Sequence, residues 1–365
     1  MSDSIPATAG GPSSPTSATA AGSQDAFLSS GQSPGRSTVH LIGPGQVGRA
    51  FLRQLRERDA GVRVVAISDS SGTTYSRDGL PVDALLAHKA EGSAIAAWPG
   101  AEAIPTELAI RVVAADLVVD ATPSGAEGTD AAIQRGRAAL QSGASLLLCS
   151  KNALARRAAD WLAPATRARL GINAVLGGTG AQLVEELDEL RRDARGLALV
   201  GNVTTTAIVS AVEQGATIAA GIAEAERLGF LEPDADLDLD GSDAAVKLLC
   251  VWSAVFGETF CEAPSFDAVV RQDVRELDSG QLQERARRGA TTRLVARAGR
   301  DGRDLRVGFE EVVLGSPLAA PADRVVYGYE LPSGLRVHTG LGVGYQRTAE
   351  ALWVDVAAQL REVSR

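Results

Sequence analysis

From Gly229 the chain reads Gly229-Phe-Leu-Glu-Pro-Asp-Ala-Asp-Leu-Asp-Leu-Asp-Gly-Ser-Asp243, followed four residues later by Lys247. Six acids fall between Glu232 and Asp243, both ends counted. Carboxylates at this density can bind a cation, hold an amine or orient a proton donor. A calcium loop of the EF-hand kind wants its glycine sixth and its glutamate twelfth, and this segment does not fit. Asp243 and Lys247 stand at i and i+4, on one face of a helix. Cys250, Val251 and Ala254 continue that face, while Ala245, Leu248, Leu249 and Trp252 occupy the rest. The spacing therefore predicts a helix over 242–256 that is apolar all round and belongs in a core. An isolated buried ion is costly, so its two charges must be paired or functional. A lysine kept dry there is a candidate proton donor, because desolvation lowers its pKa while Asp243 opposes the shift. A buried ion pair without chemistry is the competing reading.

Lysine is rare in the chain. Of 36 basic residues only Lys89, Lys151 and Lys247 are lysine, so ordinary surface cations are written as arginine and each lysine asks for a reason. Arginine stays protonated near neutral pH, whereas a buried lysine can lose its proton. The net charge of −9 over 365 residues supplies no basic field for nucleic acid or an anionic membrane. No apolar run reaches the length that spans a bilayer. Cys149, Cys250 and Cys261 cannot build a disulfide framework and suit a reducing compartment. His40, His88 and His338 are scattered, which argues against a His-rich metal site and against a Ser/His or Cys/His relay. Cytoplasmic small-molecule chemistry is what remains.

A second constellation lies near the start. The apolar strand expected at Val39–Ile42 runs into Gly43-Pro-Gly-Gln-Val-Gly48 and then a helical pattern through Phe51, Leu52 and Leu55. Such a loop is weak evidence alone, but here it follows a strand, opens a helix and has an acid about 20 residues further on. Gly43 permits the tight turn, Gly45 lets backbone approach a pyrophosphate, and Gly48 lets helix and strand pack closely. Gln46 and Val47 complete the cofactor-binding loop, and the phosphate charge sits at a helix N-terminus. Asp69, 21 residues past Gly48, is placed to accept from the ribose 2′-OH of NAD, unless it merely begins a turn with Ser70 and Ser71. A 2′-phosphate would be repelled there, with Arg49 or Arg63 available to compensate.

These pieces need positioning elements. Residues 1–37, rich in Ser, Ala, Gly, Pro and Thr, read as a disordered tail. Strands at 62–68, 116–121 and 144–149 alternate with helices, one of them near 129–142, giving a Rossmann-type doubly wound parallel sheet over 38–160. Residues 161–325 read as a second, α+β domain for catalysis and dimerisation, with strands at 197–200 and 305–313 and helices at 205–228 and 242–256. Residues 326–365 give a strand near 335–338 and a helix from about 348 to 362 returning to the nucleotide-binding part, with no room for an appended regulatory domain.

The order of these elements resembles the homoserine dehydrogenase family over about 38–360. The most specific match is Gly229-Phe-Leu-Glu232-Pro-Asp, then Asp238-Leu-Asp-Gly241-Ser-Asp243 and Lys247. Asn202-Val-Thr-Thr-Thr-Ala-Ile-Val209 is similar to the family's Asn-Gly-Thr-Thr segment, with Val203 in place of glycine. Gly340-Leu-Gly-Val-Gly344 with Thr348-Ala349 is similar to its C-terminal turn and helix. The resemblance implies reversible, NAD(P)-dependent oxidation of L-homoserine to L-aspartate 4-semialdehyde. Lys247 would protonate the carbonyl oxygen during reduction. Glu232 and Asp243 would hold the substrate amino group, with Asp238 shaping the pocket. Thr122, Gly229 and Gly344 would lie against the cofactor, and members are usually dimers through the middle domain.

Three departures stand out. The family's Asn-Lys pair after the fourth strand appears as Ser150-Lys151-Asn152, and Lys151, as a catalytic and cofactor-side cation, is favoured over Asn152 for the role. The turn Ile172-Asn-Ala-Val175-Leu-Gly177-Gly-Thr179 falls where the family often binds a monovalent cation; its usual glutamate is Ile172, leaving the carbonyls of Val175, Gly177 and Thr179 for a sodium ion. Gly180 replaces a usual proline. These departures motivate the alternatives of a paralogue acting on a related semialdehyde or amino alcohol, and of a catalytically silent NAD(P)-binding protein.

Overall fold

A computed structural model describes residues 37–58, 61–124, 128–231, 235–259, 264–342 and 344–363. Of the tail expected over 1–37, all but Ser37 lies outside them, and so does Glu232. The first part runs β1 (Ser37–Ile42), α1 (Gln46–Arg58), β2 (Val62–Asp69), β3 (Gly72–Tyr75), α2 (Val82–Ala90), α3 (Thr106–Val113), β4 (Leu117–Asp120), α4 (Thr129–Gln141), β5 (Ser145–Leu148), α5 (Lys151–Trp161) and β6 (Leu170–Gly171). Their sheet has the order β3-β2-β1-β4-β5-β6. β1 and β4 lie side by side at its centre, with the chain winding outward from them in both directions. β1, β2, β4, β5 and β6 are parallel, but β3 turns back antiparallel on β2. The sheet is therefore not wholly parallel, and the Gly/Ser stretch after Asp69 is a hairpin rather than a plain loop. Leu117–Asp120 and Ser145–Leu148 are buried at every position, as central strands covered by helices on both faces require.

The second part runs α6 (Gly180–Asp193), β7 (Gly196–Val200), α7 (Val203–Glu213), α8 (Ile218–Arg227), α9 (Ala235–Leu239), α10 (Ser242–Phe256), β8 (Val270–Arg271), α11 (Ser279–Arg287), β9 (Ala290–Gly299), β10 (Arg306–Val313), β11 (Arg324–Leu331), β12 (Gly334–Leu341) and α12 (Gly344–Val363). Its sheet order is β12-β11-β7-β9-β10-β8, antiparallel except between β10 and β8. The single helix expected over 205–228 is two. The break falls at Gly215, whose φ is +109°, and Thr217 restarts the chain by accepting from the Ala220 amide at 3.2 Å. β9 and β11 carry no strand signature legible in sequence. In β9, arginines interrupt the apolar pattern, yet Arg293 is buried with its Nε donating to the Ala320 carbonyl at 2.8 Å.

α10 occupies 242–256 as the pattern predicts, and its residues from Leu248 to Phe256 are all buried. Trp252 spends its indole N–H on the Gly299 carbonyl at 3.0 Å. After β12 the chain crosses back, and Ala349, Leu352 and Val356 of α12 join Val39, Leu41 and Phe51 in the core of the first sheet. That crossing is pinned by Asp355, 5% exposed, which accepts from the Asn173 amide at 3.0 Å and its Nδ2 at 2.6 Å.

Burial pushes the Asp355 carboxyl up to about 7, and the two bonds from Asn173 only partly offset it. Its folded value lies above the unfolded value of about 3.9, so its contribution to stability is full below the unfolded value and is lost as pH rises through the folded one. Asp355→Asn should therefore gain on the wild type as pH rises: the difference in Tm, variant minus wild type, should increase by about 3 °C between pH 5 and pH 8. Thermal melts at the two pH values check this, and an unchanged difference overturns it.

Candidate active site

The glycine loop leaves β1 at Gly43, whose amide donates to the Ser68 carbonyl at 2.9 Å, and enters α1 at Gln46. Gly43 has φ +82°, and a Cβ there would meet the Ala121 and Thr122 backbone at 2.9 Å. A Cβ on Gly48 would lie 2.4 Å from the Gly43 carbonyl oxygen, so no side chain fits between helix and strand. Gly45 opens outward, with nothing within 4 Å of its missing Cβ. A closed inner turn, an open outer glycine and a helix N-terminus together fit a dinucleotide pyrophosphate. Gln46 is exposed at the first turn of α1, whereas Val47 packs inward on the core of the first sheet.

Opposite the loop, Thr122 follows β4 and spends its amide and hydroxyl on Asp120 Oδ1 at 3.1 and 2.5 Å. Arg135 of α4 donates to Asp120 at 2.9 Å and to the Thr122 hydroxyl at 2.8 Å. Gly43, Gly45, Arg49, Asp69, Lys89, Thr122 and Arg135 line this end of the crevice. Asp69, expected to await a ribose hydroxyl, is already engaged: it accepts from the Ser71 amide and hydroxyl, from Lys89 Nζ and from the Ile95 amide. Burial alone would raise its pKa, but these bonds prevail and hold it at about 2.

In a second cleft, Lys151, Asn202, Thr204, Gly229, Asp238, Asp243, Lys247 and Gly344 line the walls. Its centre is a carboxylate shared by two ammonium groups. Asp243, in the first turn of α10, holds Lys151 Nζ at 2.8 Å on one oxygen and Lys247 Nζ at 2.8 Å on the other. Lys247 also donates to the Gly201 carbonyl at 2.6 Å. Burial works to raise the Asp243 pKa, yet the charges and hydrogen bonds of the two lysines outweigh it and keep the group far below the ordinary carboxylate range. The i, i+4 pair is thus present, and it is a triad.

Lys151, at the start of α5, takes the place beside Asp243; the inverted Ser150-Lys151-Asn152 order does not carry the amine out of the cleft. Asp238 accepts from Asn202 Nδ2 at 2.9 Å and from the Thr204 hydroxyl at 3.3 Å. Asn202 also caps α7 by accepting from the Thr205 amide at 2.8 Å. Asn202 and Thr204 belong to the Asn-Val-Thr-Thr motif, whose sequence carries a cap signal at Asn202 but nothing that announces the reach to Asp238. Gly229 and Gly344 both face the cleft. Glu232 lies outside the described residues.

In the 172–180 turn, the Thr179 carbonyl accepts from the Leu183 amide at 3.0 Å, and a Cβ on Gly340 would fall 1.9 Å from the Gly177 oxygen. The Thr179 carbonyl is thus hydrogen-bonded within the fold, and the Gly177 carbonyl packs closely against Gly340. Gly180 is required where it stands, because a Cβ there would meet the Ile172 carbonyl carbon at 2.6 Å. Among the described residues no group of three or more His, Cys, Asp or Glu is placed to hold a metal ion.

A Rossmann-type sheet offering a phosphate cradle, with a lysine-bearing acidic cluster lining a second cleft, defines a nicotinamide-dependent oxidoreductase. The sequence profile for homoserine dehydrogenase matches residues 185–357, and that for glutamate/leucine/phenylalanine/valine dehydrogenase matches residues 10–157. An NAD(+)-dependent homoserine dehydrogenase of Pseudomonas canavaninivorans is 24% identical over 337 residues, covering 87% of this chain and 94% of that protein. The Methanocaldococcus jannaschii homoserine dehydrogenase is 26% identical over 332 residues, covering 87% and 97%. In structure, a mutant hyperthermophilic archaeal homoserine dehydrogenase in complex with NADPH superposes with a TM-score of 0.70 at 22% identity, covering 90% of this chain and 98% of that one. The chain is thus similar to homoserine dehydrogenases by profile over residues 185–357 and by sequence and fold along most of its length.

Removing the shared carboxylate leaves two cations in a largely buried place. Asp243→Asn should cost about 3 kcal/mol at pH 7, read by urea denaturation. The group's pKa is depressed on folding, so its contribution is present above its unfolded value, about 3.9, and is lost as pH falls below it. The penalty should shrink in acid, and a penalty independent of pH overturns the assignment.

Proposed function

We propose that the chain catalyses the reversible, NAD(P)-dependent oxidation of L-homoserine to L-aspartate 4-semialdehyde. The observation that carries the reading is the Asp243 carboxylate holding Lys151 and Lys247 at 2.8 Å each on the wall of the crevice. The bound nicotinamide supplies or accepts the hydride. Lys247 holds the proton that neutralises the substrate oxygen: it gives it to the carbonyl oxygen in reduction and takes it from the hydroxyl in oxidation. The Gly201 carbonyl and Asp243 fix the direction of its ammonium. Asp243, with a lysine on each oxygen, serves to hold those cations. The substrate's own ammonium falls to Glu232, with Asp238 shaping the wall. Lys151 keeps positive charge beside the reacting oxygen and the cofactor, and Thr122, Gly229 and Gly344 flank the cofactor.

The same reading carries a homodimer through 161–325, the division into parts at 38–160, 161–325 and 326–365, and a cytoplasmic setting; the family resemblance supports each. No helix among the described residues is long and apolar enough to cross a membrane. The mechanism routes no step through a cation at Val175, Gly177 and Thr179.

Lys247→Ala should lower kcat by about 10²–10⁴-fold while leaving the Kd for the dinucleotide within a factor of two or so, measured by nicotinamide absorbance and fluorescence. Wild-type protein that oxidises no homoserine with either cofactor, yet turns over another amino alcohol, would move the assignment to a paralogous dehydrogenase. Loss of dinucleotide binding in the variant would place Lys247 in the cofactor site instead.

A further inference from the structure

A row of buried polar groups that the reaction as described does not use starts beside Lys247. Tyr327 of β11 is fully buried, and its Oη and the Lys247 Cδ each lie 3.4 Å from the point where a Cβ on Gly201 would stand. Gly201 is also the residue whose carbonyl accepts from Lys247 Nζ. In the β11–β12 ladder Tyr327 stands opposite His338 and Tyr329 opposite Arg336, so the four side chains share one face of the sheet. The Tyr329 and His338 rings lie 4.7 Å apart, centre to centre. His338 Nε2 meets Glu186 Oε2 at 3.2 Å, and Arg336 donates to the same oxygen at 2.6 Å. The Glu186 side chain is 32% exposed, so the row ends in solvent.

Three atoms along this row have no hydrogen-bond partner: Tyr327 Oη, Tyr329 Oη and His338 Nδ1. Among the described residues only eight buried side-chain atoms are so placed, and three of them meet here. An unpaired buried donor or acceptor costs about 1–3 kcal/mol, and buried polar atoms without a protein partner are met by ordered water. Burial, with Asp243 and Cys250 nearby, holds the Tyr327 phenol above its ordinary range, so it keeps its proton and can accept while it donates. Burial works to raise the Glu186 pKa, but Arg336 and His338 bring it below the ordinary range, and the carboxylate stays ionised. Burial lowers the His338 pKa against the pull of Glu186. The neutral ring therefore turns its Nε2–H to Glu186 and leaves Nδ1 bare as an acceptor.

We propose that Tyr327 and His338, bridged by water, carry the reaction's proton between Lys247 and solvent at Glu186. The inference rests on the proposed proton-holding role of Lys247. In oxidation Lys247 takes the hydroxyl proton of the substrate, and its ammonium must lose a proton before it can act again. That proton passes to water beside Tyr327, and the phenol takes it up while handing on its own. His338 accepts at Nδ1 and releases from Nε2 to Glu186, which delivers to bulk water. Each hop breaks one N–H or O–H bond and forms one, and reduction runs the series backward. Both residues act through Lys247 and are positioning residues rather than catalytic ones.

The test follows hydride and proton separately as the full chain is mixed with cofactor and homoserine in a stopped-flow instrument. Nicotinamide absorbance reads the first, and a pH indicator in weak buffer reads the second. In the wild type the two should appear together. Tyr327→Phe removes an oxygen that has no protein partner, so the fold should hold. Its first-turnover hydride transfer should stay within about twofold of wild type while proton release lags by about 10-fold or more. His338→Ala should show the same lag, shortened by added imidazole, which a merely structural loss would not allow. Hydride and proton that still appear together in either variant, or that slow together, overturn the proposal and leave the reaction standing. Wild-type protein that gives no absorbance step overturns the proposed reaction, and this inference falls with it.

Discussion

One buried carboxylate organises the catalytic end of the molecule. Asp243 sits at the start of a helix buried except at Asp243, Val246 and Lys247, where the positive end of the helix dipole already favours an anion. Two lysines complete the neutralisation, one from its own helix and one from the start of α5. Asp243 is each lysine's reason for tolerating partial burial, since an opposite charge favours the ammonium form whereas the second lysine alone would disfavour it. The packing of α10 against α5 is thus an electrostatic fit as well as an apolar one.

What the sequence made legible was local. The glycine loop declares itself within a strand, six residues and a helix; the Asp243–Lys247 pair declares itself within one helical turn. The helix over 242–256 was readable because twelve of its fifteen residues are buried, leaving a pattern with few polar interruptions. Lys151 was harder: the inverted order of Ser150-Lys151-Asn152 obscured the register, and only the fold shows the amine arriving at Asp243.

What stayed hidden depends on partners far apart in the chain. Asn202 and Asp238 are 36 residues apart, and Lys89 and Asp69 are 20 apart. No periodicity encodes either meeting. β9 and β11 escaped for a different reason: arginines in one and a central glycine in the other interrupt the pattern of strands whose stability comes from neighbours on both sides of an antiparallel sheet. The scarcity of lysine was a global signal that singled out all three, each of which lines a cleft in the structure, although it named no role or partner for Lys89.

That scarcity has a practical side. Lys89, Lys151 and Lys247 all stand on crevice walls, and every other side-chain cation that stays charged through neutral pH is a guanidinium. Reagents that acylate or reductively alkylate side-chain amines consequently address only the crevice in the described residues, so the extent of such labelling is a direct gauge of its occupancy. By the same token, amine-coupled surfaces and cross-linkers would seize the protein by its working face rather than by its exterior.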